Sequence, residues 1–146
     1  MSAATRQWED DTQTQTVTNT VTENLMAWPG SEFRTYWRPL VSVTSISYFD
    51  EDGNQQTLDP SQYSVDAPNR KIYPAVGVTW PTTQERWDAI EIIYEAGSTQ
   101  VPDIARQAIL MQCDVMEELR GTTREKDAAI KAYEMLVTRY MRGSYP

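Results

Sequence analysis

Three groups of residues in this chain could do chemistry, and each has a plainer structural use. Asp50-Glu51-Asp52-Gly53-Asn54 places oxygen donors on alternate residues, as acidic loops do to hold calcium. The EF-hand spacing needs its glycine sixth and an acidic ligand twelfth, whereas here Gly53 falls fourth and Ser61 twelfth. A hairpin turn with Gly53 at positive φ accounts for the same residues. Glu91 and Glu95 share one side of a predicted strand. The two acids of a glycosidase instead flank a cleft from opposite sides, so this pair reads as a solvated sheet face. The third group is aromatic: Trp8, Trp28, Trp37, Trp80 and Trp87, with eight tyrosines. These could line a protein interface, fill a core or stack on sugar rings, and an interface is the first expectation.

Other chemistry lacks its residues. The chain has no histidine, which removes the commonest general base and transition-metal ligand. It carries no Gly-rich phosphate loop, no serine nucleophile elbow and no cysteine cluster. The lone Cys113 cannot form an internal disulfide and reads as a small helical hydrophobe in a reducing, cytosolic setting. The expectation is a protein with no catalytic residues, no cofactor and no metal.

Net charge is -8 with a pI near 4.5. A sequence-independent nucleic-acid binder gains affinity by neutralising phosphates, and 13 basic residues against 21 acidic ones oppose that. An acidic wall that DNA slides past without adhering fits the same balance. Mean hydropathy is -0.59 and no apolar run exceeds four residues, so no membrane span is expected. No secretory signal is expected either, since no basic start with an apolar core follows Met1. A chain of 146 residues is expected to be one domain burying roughly 68–70% of its unfolded surface, enough for a core without staples.

The elements that would position these residues divide by hydrophobic period. Residues 1–11 predict a short helix with Ala4 and Trp8 on one face. Residues 12–28 then run polar and β-branched, with Thr12, Thr14, Thr16, Thr18, Thr20 and Thr22 on every even position. That period of two predicts a long strand or extended arm with a threonine face; a polar leader without regular structure is the other reading. Residues 36–97 predict five to seven short antiparallel strands: Val41–Tyr48, Gln55–Leu58, Tyr63–Asp66, Lys71–Tyr73, Val76–Trp80 and Ala89–Tyr94. From Pro102 the period becomes helical, through Ile104, Ala108, Met111, Val115 and Leu119 to a stop at Gly121. Thr122-x-x-Glu125 is a capping box that opens a second helix, striped by Ala129, Tyr133, Leu136, Val137 and Tyr140 and stopped by Gly143. Residues 102–143 thus predict an αα-hairpin with a tail at 144–146, and the fold class is α+β.

One ordered series of fragments resembles a known family. Arg38-Pro39-Leu40 leads into VSVTSISYFDEDG; Thr57-Leu58-Asp59-Pro60-Ser61-Gln62-Tyr63 follows. Then come Val76-Gly77-Val78-Thr79-Trp80-Pro81, Tyr94-Glu95-Ala96-Gly97 and Val101-Pro102-Asp103-Ile104-Ala105-Arg106-Gln107-Ala108-Ile109. Together, over about residues 38–120, they resemble the head–tail connector (adaptor, head-completion) proteins of tailed phages. The resemblance implies a structural virion protein in the neck, assembled in the host cytoplasm as a homo-oligomeric ring of twelve. It implies a portal protein above and tail or neck proteins below, with DNA passing through the channel without specific binding. It also implies portal docking through the C-terminal end, with Arg139, Tyr140, Arg142 and Tyr145 as contacts. The Asp50–Asn54 tip would then meet the tail side or a neighbouring subunit. Members of that family usually begin with two helices, and by the resemblance this sequence starts where the second would end, so either the ring contact is built otherwise or the true start lies upstream. The arm carrying Thr12 to Thr22 is the expected substitute, adding a strand across a subunit boundary. The alternative, drawn from the aromatics alone, is a small β-rich carbohydrate- or peptide-binding module.

Overall fold

The computed structural model describes residues 3–98, 100–117 and 123–143. The chain forms two compact units, one of residues 18–97 and one of residues 1–17 with 98–146. The class is α+β, as the change of period predicts.

The first unit is all β. Strands β1 (Asn19–Leu25), β3 (Leu40–Phe49), β4 (Gln55–Thr57) and β7 (Ile90–Ala96) form an antiparallel sheet in the order β1-β7-β3-β4. A smaller sheet has β2 (Phe33–Arg34), β6 (Lys71–Pro74) and β5 (Tyr63–Asp66) in the order β2-β6-β5. Strand β7 alternates strictly, burying Ile90, Ile92, Tyr94 and Ala96. It is paired on both sides, so its inward residues are the centre of the core. Phe33 and Ile72 bring the smaller sheet into the same cluster, with Leu40, Ile46, Leu58 and Ala89.

Local backbone makes two stretches of this unit depart from a plain period-two strand. Strand β3 does not alternate simply, because β-bulges lie between Leu40 and Ser42 and between Val43 and Ser45. Each extra residue shifts the phase, so Leu40, Val43 and Ile46 pair with the inward residues of β7 while Val41 is left exposed. The expected strand Val76–Trp80 is not a strand. Val78 N–H closes a turn on the Ala75 carbonyl with Gly77 at φ 79°, and the following Trp80 is held by its ring. Trp80 stacks on Trp28 at 4.3 Å and 2°, while Trp28 Nε1 donates to the Pro81 carbonyl at 2.9 Å. Side-chain packing there replaces ladder pairing. The two-residue β2 has too few residues for a period and was not expected.

The second unit packs three helices on one another: α1 (Ala3–Thr12), α2 (Asp103–Glu117) and α3 (Thr123–Gly143). Its core is Trp8, Ala105, Ala108 and Tyr133, with Val101, Ile109, Leu136, Val137 and Tyr140 against them. The α3 stripe is as predicted. On α2 the buried line runs through Ala105, Ala108 and Gln112, displaced from the expected Ile104 and Met111, which are half-buried. The bulky Trp8 of α1 demands small residues beside it, and its ring sits edge-on to Tyr133 at 6.4 Å. The expected stop at Gly121 and cap at Thr122 lie outside the described residues.

The threonine-rich stretch is not one arm. Thr12 is the last residue of α1, and Gln13 at φ 53° turns the chain out of the helix. Thr14 N–H then reaches back to the Glu9 carbonyl at 3.1 Å, the six-residue closure of a Schellman motif. Thr12 Oγ1 donates to the Trp8 carbonyl at 2.7 Å, and Thr16 donates its N–H and hydroxyl to Glu9 Oε1 at 2.8 and 2.6 Å. Thr12, Thr14 and Thr16 are buried as the cap of α1. Only Thr20 and Thr22 stand on the polar strand β1, with Thr18 just before it.

Candidate functional site

The acidic tip is built by its own first residue. Asp50 Oδ1 accepts from the Asp52 and Asn54 backbone N–H groups at 3.1 and 2.8 Å. Gly53 N–H donates to the Asp50 carbonyl, with Gly53 at φ 82° where a side chain would be strained. Gln56 donates to Asp50 Oδ2 at 3.0 Å. That amide, and then the Asn54 N–H, hold the Asp50 carboxyl below the usual carboxylate range. Asp50 is therefore a turn residue, while Glu51, Asp52 and Asn54 project to solvent. Among the described residues no group of three or more metal-ligating side chains is assembled.

A second segment lies along this tip. Gln84 N–H donates to the Phe49 carbonyl at 3.0 Å, and Phe49 N–H to the Ala89 carbonyl at 2.9 Å. The Gln84 side chain lies 3.5 Å from where a Cβ on Gly53 would stand. Arg86 stacks on the Phe49 ring at 3.8 Å and grips Asp88 through both of its oxygens at 2.5 and 2.8 Å. The Arg86 guanidinium holds the Asp88 carboxyl below its ordinary value. Between them Trp87 stands 69% exposed. The other four tryptophans are buried or half-buried in their cores, which leaves no platform of coplanar exposed indoles for a sugar. Composition identifies the tryptophans as a group but cannot say which one the fold leaves outside.

Glu91 and Glu95 lie on the face of the larger sheet opposite its core. Glu91 accepts from Ser47 at 3.3 Å and Glu95 from Ser42 at 3.1 Å. The register adds Thr20 and Thr22 of β1 and Ser45 of β3 to that face. Around Ile93 at its centre this face is polar, with hydroxyls, Asn24, two carboxylates and no cation on its strands, which can repel a phosphate and cannot grip one.

The expected C-terminal contacts separate. Tyr140 belongs to the helical core, its ring 5.2 Å from Trp8. Arg139 and Arg142 are exposed on α3, and Tyr145 lies outside the described residues. Arg139 and Arg142 line a shallow groove of about 480 Å³ with Lys131, Glu134, Met135 and Thr138. Met135 is 67% exposed there, and neither it nor Lys131 stood out in the sequence. Of the threonines expected to bridge subunits, Thr12, Thr14 and Thr16 are enclosed by their own unit.

Comparison with known proteins turns on the fold. The sequence matches no protein-family model and no curated protein. Solved structures do match. A chain of the neck of a native gene transfer agent particle, computed with C12 symmetry, aligns at TM-score 0.68 and 20% identity over 90% of this chain and 77% of its own. The chain shares that fold. A chain from the neck of the empty particle, computed with C6 symmetry, aligns at 0.67 and 21% over 82% of this chain and 65% of its own. A third, from the virion of the native particle, aligns at 0.68 and 20% over 90% of this chain and 72% of its own. No helix among the described residues is long and apolar enough to cross a membrane.

Proposed function

We propose that this protein is a head–tail connector of a phage-like particle. Copies form a ring in the neck beneath the portal, extend the DNA channel and give the tail proteins their platform. The observation that carries this reading is the fold shared over 90% of the chain with a neck protein solved under twelvefold symmetry. The ordered sequence fragments of residues 38–109 support it independently, because their resemblance does not depend on the fold. The surfaces fit a structural part. The acidic pair is held by serine hydroxyls on an open sheet face, and the larger sheet offers DNA hydroxyls and carboxylates without cations. A net charge of -8 per copy keeps the duplex from adhering to such a wall.

The test is assembly. The full chain is mixed with portal rings from the same particle and examined by sedimentation and negative-stain microscopy. A collar that co-sediments with the portal is expected, and particles made without the chain should carry filled heads and no tails. Tailed, infectious particles assembled in its absence would end the reading.

A further inference from the structure

We propose that the acidic hairpin tip and Trp87 of one copy dock into the cationic groove on α3 of the adjoining copy, so that the ring closes by one repeated head-to-tail contact. The inference rests on the ring reading above and names the surfaces that make the ring. A cyclic assembly beyond a dimer needs a heterologous interface, two different patches on each copy that complement each other. The described surface holds such a pair.

The first patch is negative with an aromatic anchor. Glu51 and Asp52 project from the turn that Asp50 organises, and the exposed Trp87 lies in the segment that runs along that turn through Gln84, between the paired Arg86 and Asp88. The nearby cation is already engaged: Arg86 lies on Phe49 and is gripped by Asp88, so it does not neutralise the tip. An exposed tryptophan offers a large apolar area on docking at little cost in side-chain freedom, which is why tryptophan is enriched among interface anchors. The second patch is positive with an adaptable floor. Lys131, Arg139 and Arg142 outnumber the one carboxylate, Glu134, and line with Met135 and Thr138 a groove of about 480 Å³, room enough for an indole. A methionine side chain reshapes to an incoming ring and its sulfur favours aromatic contact. The cations would meet Glu51 and Asp52 while Trp87 covers Met135. Arg139 and Arg142 thereby go to the neighbouring copy in place of the portal. A groove of this chemistry selects an acidic partner with an exposed aromatic, and the chain itself supplies one.

Disulfide trapping reads even a weak contact. Full-length chains carrying Cys113→Ser are made with Asn54→Cys, on the exposed tip, or with Met135→Cys and mixed under mild oxidant. The mixed tip–groove dimer should outnumber tip–tip and groove–groove dimers by about fivefold or more, since opposite charge favours the first and like charge opposes the others. Equal capture of all three pairs, or none, overturns the inference. Charge exchange is the second arm. Glu51→Lys with Asp52→Lys in one chain, and Arg139→Glu with Arg142→Glu in another, should each lower trapping about tenfold. Mixing the two reversed chains should restore it, because every tip then faces an opposite groove in an alternating ring. Reversed chains that trap as well as the native one also overturn it. So does an Arg139→Glu, Arg142→Glu chain that forms rings but no longer binds the portal, which would assign the groove to the portal. A neck ring with no preferred tip–groove dimer removes this inference and leaves the connector reading standing; a neck without any ring removes the connector reading itself.

Discussion

The two units close on the same small device in different surroundings. In each, a tyrosine hydroxyl donates to a carboxylate on the unit's first element: Tyr133 to Asp11 of α1 at 2.8 Å, and Tyr94 to Glu23 of β1. Around Tyr94 the bond is one strand of a knot. Its oxygen also accepts from Trp37 N–H at 3.3 Å, and Glu23 accepts from Tyr36 N–H at 2.9 Å. Arg70 adds bonds to the Thr35 and Tyr36 carbonyls, so partners from distant parts of the sequence meet at one point. Around Tyr133 the bond stands at the mouth of a groove lined also by Gln7, Gln112 and Glu134, and the burial beside it comes chiefly from one side chain, Trp8. Each unit therefore keeps its stability in a different place. The β unit distributes it over a continuous sheet core and a half-buried polar knot. The helical unit concentrates it in an aromatic plug between alanines.

Truncation at the two core centres has the largest expected effect. Ile92→Ala should cost about 2–5 kcal/mol and Trp8→Ala about 3–5 kcal/mol, read from denaturant unfolding. Trp8→Ala should lower the helical circular dichroism while the near-ultraviolet signature of the Trp28–Trp80 stack persists. Loss of both signals together would show that the units do not hold separately. A smaller effect separates the two tyrosine bonds. Tyr94→Phe should cost about 1–3 kcal/mol, because it leaves Trp37 N–H without its partner and takes from Glu23 one of its two donors. Tyr133→Phe should cost about 0.5–1.5 kcal/mol, because water in the groove can replace its hydroxyl. Equal losses would contradict the contrast between knot and plug.

Alkali sharpens the same point with the smallest expected change. Burial first, and then the carboxylate partner, push both tyrosine hydroxyls above their ordinary range. The folded state therefore keeps protons that the unfolded state releases. Stability from this source is complete below the unfolded tyrosine value of about 10 and declines as pH rises beyond it. A chain with both tyrosines changed to phenylalanine should lose less stability between neutral pH and the alkaline range than the native chain does. An unchanged alkaline slope in that variant would place the effect elsewhere.

Period and turn chemistry carried much of this molecule in the sequence. The alternation of Ile90, Ile92 and Tyr94 marked the central strand, because a strand paired on both sides has one consistent inward face. The stripe of Tyr133, Leu136, Val137 and Tyr140 marked α3 for the corresponding reason at a period of 3.6. Asp50 and Gly53 marked the hairpin, since few residues satisfy its backbone. Tertiary structure decided what period cannot express. Two bulges re-phased β3 against a partner some fifty residues away, and stacking on Trp28 held Trp80 out of any ladder. Alternating threonines became a helix cap because a Glu9 carboxylate and carbonyl were there to receive them. Which tryptophan stayed in solvent, and which methionine lay among cations, followed from burial. Burial depends on partners remote along the chain, whereas hydrophobic period records only a residue's own neighbours.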